Sequence, residues 1–510
     1  MRVVKRGRFV PNVAANTGTF AFNVLVGLWY TPYLIRHLGV GSYGLIPLIT
    51  QVVGYLAIVT VALNSAVGRY ITIDLERGNH AEANRYFNAS FFGSLALVAV
   101  MVIPAGFATY HIDKLISVPA GQETQVRWLT GCVVAVFFLS ALLTPFGIAT
   151  YCTNRFDLRN AVSIAEYLVR VGVVVACFAL LSPQLWQVGL ALVGATLVSG
   201  GLTLGLWRRL MPMLRVSISD FDIRAVGKLA SFGGWVAVNQ VGAILYLAVD
   251  LIVVNRMFGP VAGGRYAAAL QWSGLLRSLT GVVATVFGPT MLYIYARNDF
   301  DGLVSYARRA MKLTGLAIAL PIGLICGLSG PLLGTWLGPG FVGLAPLMSL
   351  MTIHLSVNLA VTPLFAVQTA TNRVSVPGIV TLVMGAANLG LALLLAGPVG
   401  WGLYGVAAAG AIMLTAKNLV FTPIYTACCL KRSPLVFFRQ MFGTTSATIV
   451  TAVSCYGLAR LVDLSGWFRL GTAAAAVSLV YLAIVLLTLV TADERVMFRE
   501  AVRSLVRSGQ

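Results

Sequence analysis

The chain has 510 residues, of which 58% are hydrophobic and only 10% are charged, and its formal net charge is +20. A soluble domain covers its surface with about 25% charged residues, so this composition excludes a water-soluble globular protein and leaves most of the chain facing lipid. The seven cysteines form no C-x-x-C pair, and neither a disulfide framework nor a zinc site is expected.

The apolar residues come in runs of roughly 20, enough to cross a ~30 Å hydrocarbon core as helix. Backbone groups in lipid must bond internally, and the runs lack the alternation of barrel strands. About fourteen spans are predicted, near residues 13–35, 45–66, 87–109, 128–149, 161–181, 186–206, 229–254, 266–288, 313–335, 344–367, 376–396, 403–424, 443–461 and 470–490.

Span one is too long for a cleavable signal peptide. It carries Asn16, Thr17, Thr19, Asn23 and Tyr30, which suit either sugar hydroxyls or helix packing in lipid, and it ends at Arg36. Span four ends in TPFGIATYCTNR, 144–155. Span five sets Arg170 four residues after Glu166, the spacing of a structural ion pair on one helical face. The stretch SDFDIRAVGKLASF, 219–232, reads as a basic amphipathic segment on the membrane surface before span seven. Span seven holds one deep acid, Asp250, placed to pair with an Arg or carry a proton. Span eight holds Arg277 among Gln271, Ser273, Ser278 and Thr280. Span ten holds His354, read as an interior histidine, and ends in TPLFAVQTATNR, 362–373. Lys417 in span twelve stands beside Thr415 and Asn418. Arg170, Arg277 and Lys417 each lie roughly 10–15 residues from a span end, about 15–22 Å deep. Buried cations are costly in a membrane and are functional candidates by default. Arg277 leads, Lys417 either binds cargo or snorkels inward, and Arg170 reads as structural. Beyond the last span, Thr491 and Glu494 form a capping box. Arg495, Arg499, Arg503 and Arg507 then mark residues 491–510 as a basic amphipathic tail on the inner leaflet.

The positive charge follows topology. Only Arg36, Lys114, Arg127, Arg256, Arg265, Arg460 and Arg469 fall in the outer loops and three cations lie within spans, which leaves 26 of the 36 Lys and Arg on the inner side. The positive-inside rule then puts both termini in the cytoplasm. No nucleic-acid partner is implied.

The chain repeats itself. Thr-Pro opens and Thr-Asn-Arg closes both twelve-residue segments at an offset of 218; Arg36–Gly39 answers Arg256–Gly259 at 220, and Tyr43 answers Tyr266 at 223. Spans 1–6 pair with 7–12 in the same direction, a parallel repeat of the transporter kind. The expected division is 1–210, 211–430, 431–490 and the tail 491–510. Pro145 and Pro363 cannot donate to the helix ladder and are expected to bend their spans as paired hinges. Arg155 and Arg373 are expected at the inner interface, against lipid phosphate.

TPYLIRHLGVGSYGLIPLITQ, 31–51, resembles the first hairpin of the Wzx-type polysaccharide and O-antigen flippases of the multidrug/oligosaccharidyl-lipid/polysaccharide exporter superfamily. Pro32, Leu34, Ile35, Arg36, Leu38, Gly39, Tyr43, Gly44 and Leu45 carry the resemblance. The segment Ser231-Phe-Gly-Gly-Trp235 departs from it, lacking the Pro often found there. The resemblance implies an all-α polytopic fold of two pseudo-symmetric six-helix lobes plus two C-terminal helices, with spans 1, 2, 7 and 8 lining a central cavity. It implies a polyprenyl-diphosphate-linked oligosaccharide as cargo, membrane lipids and a polysaccharide assembly machinery as partners, and a bacterial plasma-membrane location. The substrate-binding candidates are then Arg277, Lys417, Asp250, Asn16, Asn23 and Arg36. No cofactor is expected beyond a coupling proton or sodium ion. The rivals are a cation-coupled multidrug exporter of the same superfamily and a membrane glycosyltransferase. No G-x-x-x-x-G-K-[ST] loop or metal-ligand cluster points to an enzyme.

Overall fold

The computed structural model describes residues 9–247 and 249–489. The tail at 491–510 and its capping box lie outside the described residues. Among those residues every regular element is helical.

The first half comprises α1 (Phe9–Leu38), α2 (Val40–Gly54), α3 (Ala57–Glu76), α4 (His80–Tyr110), the short α5 (Ile112–Leu115), α6 (Glu123–Cys152), α7 (Phe156–Leu180) and α8 (Leu185–Leu210). The second comprises α9 (Ile223–Leu247), α10 (Val249–Ala296), α11 (Phe300–Gly327), α12 (Ser329–Leu337), α13 (Ala345–Ile353), α14 (Leu355–Ala360), α15 (Thr362–Ala370), α16 (Ser375–Ala396), α17 (Gly402–Ala416) and α18 (Thr422–Cys429), followed by α19 (Phe438–Leu461) and α20 (Trp467–Ile484). Each predicted span falls on these helices, and ten stretches of the described residues are long and apolar enough to cross a membrane. The two numbers differ partly because α1 and α19, though long enough, are not among the ten apolar stretches, and partly because the helices do not break where the spans do. Span two is divided between α2 and α3 at Tyr55–Leu56, and α10 runs spans seven and eight together across a kink at Gly259.

The repeat is written in the backbone. Gly39 and Gly259 have φ of 81° and 84°, a conformation glycine adopts without steric cost. Gly78 (φ 75°) answers Asn298 (φ 57°), again 220 residues apart, and each is followed by an N-cap: Asn79 Oδ1 accepts from Glu82 N and Asp299 Oδ1 from Gly302 N. Asn154 (φ 55°) answers Asn372 (φ 56°) at 218. The buried cores repeat in the same register. Ile71, Ala83 and Phe87 form one cluster with Phe146 and Ala149; Met291, Leu303 and Ala307 form the other with Leu364 and Val367. This register sets Tyr43 opposite Gly263, so the expected match of Tyr43 to Tyr266 is one turn out of phase. Both tyrosines are buried.

Packing divides the chain into one compact unit of Met1–Ala267 with Thr381–Leu389 and another of Ala268–Val380 with Gly390–Gln510. In the first unit, α9 lies along α3 and α6 along α8. The 219–232 stretch is not a separate surface helix: its Ala225 and Leu229 enter the core as the first turns of α9, while Arg224 and Lys228 remain exposed. The start of α2 meets the kinked part of α10 backbone to backbone. A Cβ on Gly264 would fall 1.9 Å from the Val40 carbonyl oxygen, and one on Gly44 would fall 2.5 Å from Gly264 Cα. In the second unit, α11 and α19 touch through Gly315, Gly323 and Gly327 against Thr444, Thr451 and Cys455, the small-residue contact typical of helices in lipid.

Candidate functional site

Polar side chains collect at three places inside the spans, two in the first unit and one in the second.

The first lies between α1 and α7. Asn160 Nδ2 donates to Asn16 Oδ1 at 2.6 Å, so Asn16 joins two helices. Farther along α1, Asn23 Oδ1 and the Tyr30 hydroxyl are buried without a hydrogen-bond partner among the described residues, and so is Arg170 Nε on α7. The Arg170 guanidinium lies over the Tyr167 ring, 4.2 Å from its centroid, and acts electrostatically on Tyr30. The expected ion pair with Glu166 is not formed. A flat guanidinium stacks well on an aromatic face, and Tyr167 sits three residues back on the same side. Orphaned polar atoms are expensive in a dry interior, so this cluster has the character of a site that binds something polar.

The second surrounds Asp250, on the first turn of α10. Its carboxylate accepts from the Tyr266 hydroxyl at 3.3 Å and from Asn388 Nδ2 at 3.5 Å. Asn388 belongs to α16, whose Gly385 packs on the backbone of α9 at Gly242. Asn388 Nδ2 also donates to the Leu245 carbonyl, and its Oδ1 has no hydrogen-bond partner. A buried carboxyl with two neutral donors is equipped to hold a proton or a small cation.

The third place lies in the second unit, along α13, α14, α17 and α18. Arg277 of α10 acts electrostatically on His354, which stands between α13 and α14 with its Nδ1 buried and unbonded. Asn358 Nδ2 donates to the His354 carbonyl at 2.8 Å and to Thr415 Oγ1 at 3.2 Å. Asn418 Nδ2 donates to Asn358 Oδ1 at 3.0 Å, and Thr422 Oγ1 donates to Asn418 Oδ1 at 3.1 Å. Lys417, only 8% exposed, holds its ammonium 5.5 Å from the Phe365 ring centroid. Residues Lys417–Phe421 form a π-helical turn between α17 and α18, a widened turn often found where a helix does work. Neighbouring Ser273 Oγ fixes α10 to the Met351 carbonyl at 2.9 Å.

The remaining expected residues stand apart. Arg36 is exposed in the last turn of α1. Arg155 pairs with Asp157 at 2.9 Å, and Arg373 is exposed. Pro363 opens α15 just after a break at Val361, and Thr362 Oγ1 bonds the Leu359 carbonyl that the proline leaves without its usual donor. Pro145 lies inside the unbroken α6, and Thr144 bonds the Ser140 carbonyl instead. The two prolines are therefore not equivalent. Asn358 and Asn388 did not figure among the sequence candidates. A lone amide in an apolar run is the same signal that marks a buried cation, and it would have found both.

A profile of the family described as polysaccharide biosynthesis protein matches residues 9–294. The chain is 35% identical over 488 residues to the uncharacterized membrane protein EpsK of Bacillus subtilis (strain 168), which covers 96% of this chain and 97% of that protein. Among solved structures it is similar to the lipid II flippase MurJ in an inward closed conformation, with a TM-score of 0.60 at 12% identity over 92% of this chain and 98% of the other. It is also similar to the MATE multidrug transporter DinF-BH in complex with R6G, with a TM-score of 0.62 at 16% identity over 84% and 95%. At these identities the two structures bear on the fold alone. The profile and the relative bear on kinship, and the chain belongs to the polysaccharide biosynthesis protein family.

Proposed function

We propose that this transporter carries a polyprenyl-diphosphate-linked oligosaccharide from the inner to the outer leaflet of a bacterial plasma membrane by alternating access, with both termini cytoplasmic. The observation that carries the reading is the side-chain network of Asn358, Thr415, Asn418 and Thr422 beside buried Lys417, in the same unit as Arg277. A diphosphate needs cations, and the glycan needs amides and hydroxyls. This stretch supplies both within one membrane-embedded unit. The polysaccharide assembly machinery would deliver and consume the cargo.

A second reading has its own observation. Asp250 is a buried acid with two neutral donors, which suits a coupling proton or sodium ion and, in a drug exporter, cation exchange. Transport by single variants separates the two. For the anionic cargo, Arg277→Ala and Lys417→Ala each lower lipid-linked glycan export about tenfold or more, the scale of losing one charged hydrogen bond, while Asp250→Asn is milder. The reverse ranking overturns the proposal. Sugar transfer catalysed by the purified protein would instead favour a glycosyltransferase.

A further inference from the structure

Two cavities of similar volume lie away from the three polar clusters: one in the first unit, lined by Phe146, Trp207, Arg208 and Arg215, and one that gathers four cations. The latter sits in the second unit, at the end the charge distribution assigns to the cytoplasm, between the N-terminal half of α11, the start of α19 and the helical turn Val485–Leu489 that continues α20. Its volume is about 530 Å³, and Arg308, Arg309, Lys312 and Arg439 line it together with Gln440 and Gly443. No carboxylate is among the lining residues.

This is more than a solvated basic face. Arg308 is half-buried and held. With the Gln440 amide oriented by its hydrogen bonds, its oxygen accepts from Arg308 Nε at 2.8 Å and Nη2 at 3.1 Å while its nitrogen donates to the Phe437 carbonyl. Such an orientation aims a guanidinium edge, since the fork is rigid. The acid at the start of α11, Asp301, is engaged by Arg432. The inner wall is closed one turn beyond Lys312, where Gly315 meets Thr444. The Tyr481 hydroxyl pins α20 to the Leu316 carbonyl at 2.8 Å.

The repeat provides an internal control. In the register of 220 residues, the equivalents of Arg308, Arg309 and Lys312 are Asn88, Ala89 and Phe92, which carry no charge. Asn88 is fully buried, donating to the Arg215 carbonyl and accepting from Ser217 N. In the first half the segment at 215–217 lies over Asn88, beside a second pocket lined by Arg208 and Arg215. In the second half the corresponding stretch of α11 carries three cations, and these line the pocket.

Basic pockets between membrane helices on the cytoplasmic side are suited to anionic lipid headgroups. The volume far exceeds one phosphate. Phe442 and Leu487, sequence neighbours of the lining Gly443 and Thr488, are 67% and 73% exposed and offer apolar surface for acyl chains. From this conjunction we infer that the pocket formed by Arg308, Arg309, Lys312 and Arg439 binds the phosphodiester headgroup of an anionic glycerophospholipid of the inner leaflet, at a site separate from the transport cargo's. The lipid would tie α11, α19 and α20 together at their cytoplasmic ends.

The test is native mass spectrometry of the full chain in mild detergent with equimolar phosphatidylglycerol and phosphatidylcholine. Retention of one phosphatidylglycerol in preference to phosphatidylcholine is expected. An Arg308→Gln/Arg309→Gln/Arg439→Gln variant should lose that occupancy by about tenfold or more, given the attraction of each cation for an anionic surface. Gly443→Trp keeps every charge; nothing lies within 4 Å of a Cβ placed there, so its ring fills the pocket and should also expel the lipid. Equal retention of the two lipids, or undiminished retention by folded Gly443→Trp, overturns the inference. Displacement of phosphatidylglycerol by millimolar inorganic phosphate or diphosphate also overturns it, because the site would then take free anions. None of these readouts depends on glycan export, so the transport proposal stands or falls separately.

Discussion

Asn154 and Asn372 close the two echoed segments, and their role is conformational. In both, the amide of the Asn bonds three residues back and that of the following Arg bonds five back: Arg155 N to the Thr150 carbonyl at 2.8 Å and Arg373 N to the Gln368 carbonyl at 2.9 Å. This is the Schellman closure of a helix, with Asn in the left-handed position. Asn154→Val should therefore lower stability by about 1–2 kcal/mol, the penalty of a bulky residue in that conformation, while Asn154→Gly should be neutral or slightly stabilising. Thermal melts of the detergent-solubilised protein check the pair, and an unchanged melt for the valine variant would contradict the assignment. The sequence made the echo visible but not its cause, because backbone φ is not spelled by residue type alone. The cations within spans were legible for a plainer reason, that a charge in an apolar run is conspicuous. Their partners were not: Arg170 chose Tyr167 over Glu166, and Asn358 entered only when α14 met α17.

At the scale of elements, close contacts decide more than propensity does. Gly264 cannot accept a Cβ without moving the Val40 carbonyl, whereas Gly281 has nothing within 4 Å. Gly264→Ala should cost about 1–3 kcal/mol or more by overpacking and reduce the yield of folded protein, while Gly281→Ala should be tolerated; size-exclusion recovery after heating distinguishes them. The prolines give a functional counterpart. Pro363 marks a real helix break and Pro145 does not, so if bending at these points serves alternating access, Pro363→Ala should slow transport more than Pro145→Ala. A Pro145→Ala/Pro363→Ala double variant transporting at the wild-type rate would remove the hinge idea altogether. Helix existence was readable from runs of apolar residues. The fusion of spans seven and eight into α10, and the breaking of span ten into α13, α14 and α15, were not, since both depend on neighbours that compensate for lost backbone bonds.

For the whole molecule, the charge asymmetry makes a topological prediction. In a background with the seven native cysteines replaced, a membrane-impermeant maleimide added to intact cells should label Ser465→Cys, in the loop before α20, and leave Ser433→Cys, in the loop before α19, unlabelled until permeabilisation. Labelling of Ser433→Cys from outside would invert the orientation. Composition alone determined that the chain belongs in a membrane, because 10% charge cannot cover 510 residues in water, and apolar runs of about 20 residues without alternation made its spans helices. The echoes at 218 and 220 pointed to an internal repeat, because a repeated register survives as repeated special residues. Only the tertiary structure decided which polar groups meet, why the echoed asparagines are there, and that Arg308, Arg309, Lys312 and Arg439 line one pocket. Those outcomes depend on distances between residues far apart in sequence, and no local pattern encodes them.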